Sequence, residues 1–216
     1  MPTTTSFAEM KDLDSDVEDV AGSGSVESGD TVGRVLDAAL ELVGRWGVAK
    51  TALADVAKTA GCSRATLYRA FPGGKQQMFS ALGAREVASF LQAVGDVIDS
   101  ADDLEDAVTR SLVVAARLLR DHDAVLFVME HEPELLVPYL GFKQVDGVYA
   151  YVSASLAPHL ERFVEVDRAK WLAEWSTRLF ISYVFKPDPL VDLSSIDRAR
   201  QVVSSFVIPA FQPSGR

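Results

Sequence analysis

Wound as a helix, residues 64–71 place Arg64, Tyr68, Ala65 and Arg69 within an arc of about 140°. Leu67, Ala70 and Phe71 fall on the opposite side, with Thr66 at the border. An apolar rear behind a front of small, hydroxyl and Arg side chains suits the major groove of DNA, where Arg can bond guanine O6 and N7 together. An ordinary solvated helix more often carries Glu and Lys pairs, whereas this front has two Arg, a Tyr and no acid. Other chemistry is sparse. The only cysteine is Cys62 and the only histidines are His122, His131 and His159, too few for a Cys/His zinc site or an internal disulfide. Glu130, His131 and Glu132 are adjacent, so on a helix they diverge by about 100° each and cannot converge on one metal ion without outside ligands. A solvated helix end explains them better. The sequence has no Gly-rich phosphate loop after a strand, no paired metal motif and no Cys-His arrangement, so no enzyme, metal or cofactor is expected.

The elements that must hold the Arg64–Arg69 front are legible on either side of it. From Thr31, apolar residues Val32, Val35, Leu36, Ala39, Leu40, Leu42, Val43 and Trp46 recur at helical spacing, and Gly47 ends this first helix. A short second helix starts with Thr51 as its N-cap, continues through Leu53, Val56, Ala57 and Ala60, and stops at Gly61. Ser63 caps the third, which Pro72, Gly73 and Gly74 close. Two short helices joined by a Gly-bearing turn and packed on a longer first one make a helix-turn-helix.

Charge supports the same segment. The 216 residues carry a formal net charge of −10, which at face value opposes binding to phosphates. Its distribution reverses that conclusion. Residues 1–30 hold eight acids and one base, a net −7; residues 31–80 hold seven bases and three acids, a net +4; residues 81–216 return to −7. Rich in Ser, Gly and Asp with few large apolar residues, segment 1–30 reads as a disordered acidic tail. With 48% apolar residues the remainder can bury a core. No apolar run is long enough to span a bilayer and the N-terminus has no signal-peptide pattern, so a soluble, cytoplasmic protein without membrane association is expected.

The stretch from Ala38 to Leu82 resembles the DNA-binding domain of the TetR family of bacterial transcriptional regulators. The likeness is sharpest at Thr51, at the Ala57–Gly61 block and at Ser63-Arg-Ala-Thr-Leu-Tyr-Arg-Ala-Phe-Pro-Gly-Gly-Lys75. The resemblance implies an all-α, homodimeric protein, usually a repressor, that binds a palindromic double-stranded operator and leaves it when a small molecule enters the C-terminal domain. It further implies phosphate contacts at Thr51, Tyr68 and Lys75 and base readout by Arg64, Ala65, Thr66 and Arg69. Two departures stand out: Ala70 replaces the His or Tyr common before the Phe, and Gly73-Gly74 lengthens the turn before Lys75. Cys62 stands where Val is usual and reads as a packing residue rather than a redox sensor.

Beyond Lys75 only helices are expected: one to about Asp99, one capped by Asp102 and running to Arg120, then 124–131, 133–140, 145–160, 167–185 and 194–208, with His122 as a partner for a helix C-terminus. Residues 31–80 thus form a three-helix DNA-binding domain and 81–216 a larger helical domain for ligand binding and dimerisation. By the resemblance, the last two helices form the dimer interface through Trp171, Trp175, Leu179, Val202, Val203 and Phe206; the same stripes could equally face the monomer's own core. Leu112, Ala116, Leu119, Phe127, Met129, Tyr149 and Trp175 could line an apolar pocket for an acyl chain, a sterol-like molecule or an aromatic drug, with a fatty acyl compound preferred on composition. Each of them could equally be ordinary core. A second function class stays open: a helical interaction or ligand-sequestering protein whose helix-turn-helix is scaffold rather than reader.

Overall fold

A computed structural model describes residues 25–135, 145–185 and 191–211. Helices make up nearly all of it: α1 (Ser25–Lys50), α2 (Leu53–Thr59), α3 (Arg64–Ala70), α4 (Gly74–Asp99), α5 (Leu104–Arg120), α6 (Asp123–His131), α7 (Val145–Leu160), α8 (Val166–Phe185), α9 (Ile196–Val202) and α10 (Ile208–Phe211). A 3-10 turn covers Pro133–Leu135 and a π turn, Val203–Val207, joins α9 to α10. Among the described residues there is no strand beyond an isolated bridge at Val191. The fold is all-α.

The described residues fall into two compact units, one of residues 25–87 with 122–135, the other of 88–121 with 145–185 and 191–211. The first closes on Val35, Leu36, Ala39 and Leu42 of α1, Val56 and Ala57 of α2, Leu67 of α3, then Phe71, Met78 and Leu82. Its surroundings explain why the short α2 and α3 persist, since neither seven-residue helix would be stable alone in water. Helix α6 also packs on α1 in this unit. Small residues permit the approach: a Cβ on Gly44 would lie 3.3 Å from the Asp123 Cβ. The second unit closes on Val94 and Ile98 of α4, Val108, Leu112 and Ala115 of α5, Ala157 and Leu160 of α7, Leu172 of α8, and Val203, Val207 and Phe211.

Several local expectations are corrected. Helix α1 begins at Ser25, inside the segment read as a disordered tail, while residues 1–24 lie outside the described residues. Trp46 is exposed rather than on the buried face, because the apolar stripe of α1 ends as the backbone leaves helical geometry at Gly47. The N-cap of α5 is Asp103, not Asp102; its carboxylate accepts from the Asp106 amide at 2.8 Å. His122 caps the start of α6, its Nδ1 accepting from the Val125 amide at 3.2 Å, instead of serving the end of α5. The helix expected over 133–140 is a 3-10 turn as far as Leu135, and residues 136–140 lie outside the described residues. The last helical stretch, expected to stop at residue 208, continues through Pro209 to Phe211. Proline has no N–H and crowds the preceding turn, which fits the π turn immediately before it.

Candidate nucleic-acid interface

Helix α3 is held by its ends and its rear. Ser63 caps it, its Oγ accepting from the Thr66 amide at 3.0 Å and lying 2.9 Å from the Thr66 hydroxyl. The preceding turn is set by α2's C-terminus: Gly61 takes φ +65°, Gly61 N donates to the Lys58 carbonyl and Cys62 N to the Ala57 carbonyl, the paired bonds of a Schellman ending. That left-handed residue is why a glycine stands there. Leu67 and Phe71 fill the rear of α3 and are buried.

What remains outward is the front expected from the spacing. Arg64, Ala65, Tyr68 and Arg69 are exposed, Tyr68 by 53%, and Thr66 is half-buried with its hydroxyl already bonded to Ser63. The arginines of this front differ from the other arginines in the unit. Arg34 pairs with Asp30, Arg45 with Glu41, and Arg85 with Asp37 and Glu86. Arg64 and Arg69 have no ion pair or hydrogen bond among the described residues, and α3 contains no acid. Two unpaired guanidinium groups on a helix that presents only this face are free to take an external anion or base edge.

The expected phosphate contacts fare unequally. Tyr68 stands open on the front. Lys75 lies in the first turn of α4, where its Nζ donates to the Ala49 carbonyl at 3.0 Å and sits 5.6 Å from the Phe79 ring centroid. Thr51 is corrected: it is 0% exposed and its hydroxyl donates to the Gly47 carbonyl at 2.6 Å, so it offers nothing to a phosphate in this conformation. Nor is it the cap of α2, whose N-cap is Ala52 without a side-chain bond. Its hydroxyl instead satisfies a backbone carbonyl at the break in α1.

The sequence missed Glu132. Read as part of a solvated helix end, it is 8% exposed, and its carboxylate accepts from two backbone amides, Val48 N to Oε2 at 2.7 Å and Ala49 N to Oε1 at 2.9 Å. Glu130 is exposed, as is His131, whose ring stacks on Phe127 at 4.4 Å between centroids. No group of three or more potential metal-binding side chains occurs among the described residues.

The residues expected at a pocket are split between the units. Phe127 and Met129 are half-buried in the first; Leu112, Ala116, Leu119, Tyr149 and Trp175 are in the second, where Leu112 and Tyr149 are buried. The Arg178 guanidinium lies 4.0 Å from the Tyr149 ring centroid, and its hydrogen bond to Glu174 raises its pKa further.

The residues expected at a dimer interface are also split, by burial. Trp171 is 53% and Phe206 67% exposed, whereas Trp175 and Leu179 are half-buried against the core of the second unit. Val202 and Val203 are buried inside the monomer, Val203 completely, and so are corrected from interface to core. No helix among the described residues is long and apolar enough to cross a membrane.

Residues 35–82 match the family model described as bacterial regulatory proteins of the TetR family. An HTH-type transcriptional regulator of Mycobacterium bovis is 36% identical over 108 residues, 50% of this chain and 54% of that protein, so the matched region spans about half of the relative's length. A second HTH-type regulator, from Mycobacterium tuberculosis, is 29% identical over 189 residues, covering 84% of this chain and 85% of the other. Among solved structures, the TetR family repressor AlkX from a Dietzia strain, implicated in biodegradation of n-alkanes, is similar with a TM-score of 0.58 at 22% identity over 79% of this chain and 91% of that one. The fatty acid degradation regulator FadR from Bacillus halodurans is similar with a TM-score of 0.54 at 17% identity over 80% and 93%. At such identities the structural likenesses speak for the fold alone. With the helix-turn-helix that residues 35–82 form, the family match and the HTH-type relatives lead to one conclusion: this segment is a helix-turn-helix domain of the kind found in the TetR family of bacterial regulatory proteins.

Proposed function

We propose that this protein is a homodimeric DNA-binding transcriptional regulator, a repressor that leaves a palindromic double-stranded operator when a small apolar molecule binds. Residues 31–80 carry the DNA-binding surface, and the ligand and dimer surfaces lie within 81–216. The observation that carries the reading is the unpaired, acid-free front of α3, with Arg64 and Arg69 exposed on either side of Tyr68 while the other face is packed. Arg64, Ala65, Thr66 and Arg69 would meet base edges, and Tyr68 and Lys75 the backbone.

Two further points support the finer reading. Exposed Trp171 and Phe206 on the last helices suit an interface with a second copy. Leu112, Ala116, Leu119, Tyr149 and Trp175 supply an apolar lining for a fatty acyl compound, a preference in keeping with relatives of the same fold described as alkane and fatty acid regulators.

The test is selection of duplexes from a random-sequence pool, followed by affinity measurements on the selected duplex and a scrambled one. The wild type should prefer the selected duplex, and Arg64→Ala or Arg69→Ala should each cost about 1–3 kcal/mol on it while relaxing the preference at particular positions. If the wild type enriches no duplex, the chain is not a sequence reader, and the sequestering alternative takes its place.

A further inference from the structure

Helix α1 does not run unbroken into the helix-turn-helix. At Gly47 the backbone takes φ +80° and ψ 172°, and the chain resumes a helical turn through Val48, Ala49 and Lys50. The amides of Val48 and Ala49 both bond to the carboxylate of Glu132, which stands directly after α6 and is 84 and 83 residues away from them in sequence. The site is built around that carboxylate. A Cβ on Gly47 would lie 2.6 Å from Glu132 Oε1 and 2.6 Å from Phe127 Cε1, closer than real side chains come, so only glycine lets the carboxylate reach the two amides. The Ala49 carbonyl, the other side of the same short turn, accepts from Lys75 Nζ at 3.0 Å. Glu132, the 47–50 turn and the first turn of α4 are therefore linked bond to bond.

We infer that Glu132 is a positioning residue for DNA binding: by gripping the Val48 and Ala49 amides it fixes the turn from which α2 and α3 are hung and to which Lys75 is tied. The inference rests on the DNA-binding reading above. Glu132 itself touches no nucleic acid. Two charge-assisted bonds to consecutive amides fix both the position and the tilt of that turn, which one bond would leave free to swivel. An acid without this role would only repel phosphates, so its removal should leave binding unchanged or tighten it. A positioning role predicts the opposite sign.

The experiment compares Glu132→Gln with Glu130→Gln, its exposed neighbour, using full-length protein and the duplex selected by the wild type alongside a scrambled duplex. Glu132→Gln keeps the shape but can serve only one of the two amides through its oxygen. It should bind the selected duplex about tenfold more weakly while its binding to the scrambled duplex changes little, so that discrimination falls. Glu130→Gln should bind both as well as the wild type or slightly better. Equal or tighter binding of the selected duplex by Glu132→Gln, or an equal loss in Glu130→Gln, overturns the inference. A wild type that selects no duplex instead overturns the DNA-binding reading itself, which keeps the two failures apart. Hydrogen exchange in the wild type gives a measurement that no misfolded variant can spoil. The Val48 and Ala49 amides should exchange as slowly as those of the α1 interior, and exchange at the rate of exposed turn residues would also overturn the inference.

Discussion

The His159 ring rests directly on the backbone of Gly95: a Cβ added there would lie 2.7 Å from His159 Nε2, and the ring's Nδ1 is 2.9 Å from Asp99 Oδ2. Two effects compete when Gly95 becomes alanine. Replacing a mid-helix glycine gains about 1 kcal/mol of helix propensity. Against it, the ring must swing away from Asp99, and overpacking costs roughly 1–3 kcal/mol. Gly95→Ala should therefore lower stability in denaturant titration, and His159→Ala in the same chain should restore most of the loss. Gly83 in the same helix is the control, since a Cβ there meets nothing within 4 Å and Gly83→Ala should stabilise the protein.

Lys75 combines a bond to the Ala49 carbonyl with a location in the first turn of α4. In the proposed role of phosphate contact without base readout, replacement of Lys75 by alanine should weaken binding to selected and scrambled duplexes alike. The slope of log affinity against log salt should fall in magnitude by about 1. A loss confined to the selected duplex, seen in anisotropy titrations at several salt concentrations, would make Lys75 a reader instead.

Burial separates two kinds of substitution in the last helices. Phe206→Glu, at a position 67% exposed in the monomer, should leave helicity and melting nearly unchanged while sedimentation shifts from dimer to monomer. Val203→Asp places a charge at a site with 0% exposure and should unfold the second unit before its effect on association can be measured. A dimer persisting in Phe206→Glu at micromolar concentration would move the interface elsewhere.

Asp192 accepts from the Ser194 hydroxyl at 2.6 Å and the Ser194 amide at 2.9 Å, and these bonds lower its pKa below the usual carboxylate value. A carboxyl with a depressed folded pKa contributes stability above its unfolded pKa and loses it as the pH falls through the folded one. The same serine anchors α5, its carbonyl accepting from Arg117 Nε and its hydroxyl from Arg120. Asp192→Asn should therefore reduce stability slightly at neutral pH and flatten its dependence on pH in the acid range, compared by melting at several pH values. Because the group is exposed, the difference should be small.

The front of α3 was legible in the sequence because a helix of fixed pitch turns residue spacing directly into direction, and Leu67 and Phe71 left only one way for it to face. Ser63 was legible as a cap for the same local reason. Thr51, Glu132 and Val203 were not, since each depends on a partner far away in the chain or on which flank of a helix is covered. Thr51 looks like a cap until the break at Gly47 places a carbonyl 2.6 Å from its hydroxyl. Glu132 looks like one acid in a polar cluster until α6 packs on α1 and brings it to two amides. Val203 shares the apolar stripe of Phe206, and only the second core distinguishes the buried residue from the exposed one.

The π turn at Val203–Val207 has a bearing on that last distinction. Ala199, Val203, Val207 and Phe211 are buried at intervals of four residues. In a regular α-helix such a series drifts sideways by about 40° at every step. A wider turn slows the drift, so the series stays aligned while Phe206 is left on the open side. The stretch thus works as a phase corrector carried in a single bulge. Deleting one residue within it would restore ordinary pitch with eleven steps from Ala199 to Phe211, about 20° from whole turns, so Phe211 should stay in the core, whereas forcing regular pitch on the full-length stretch would turn it away by about 120°.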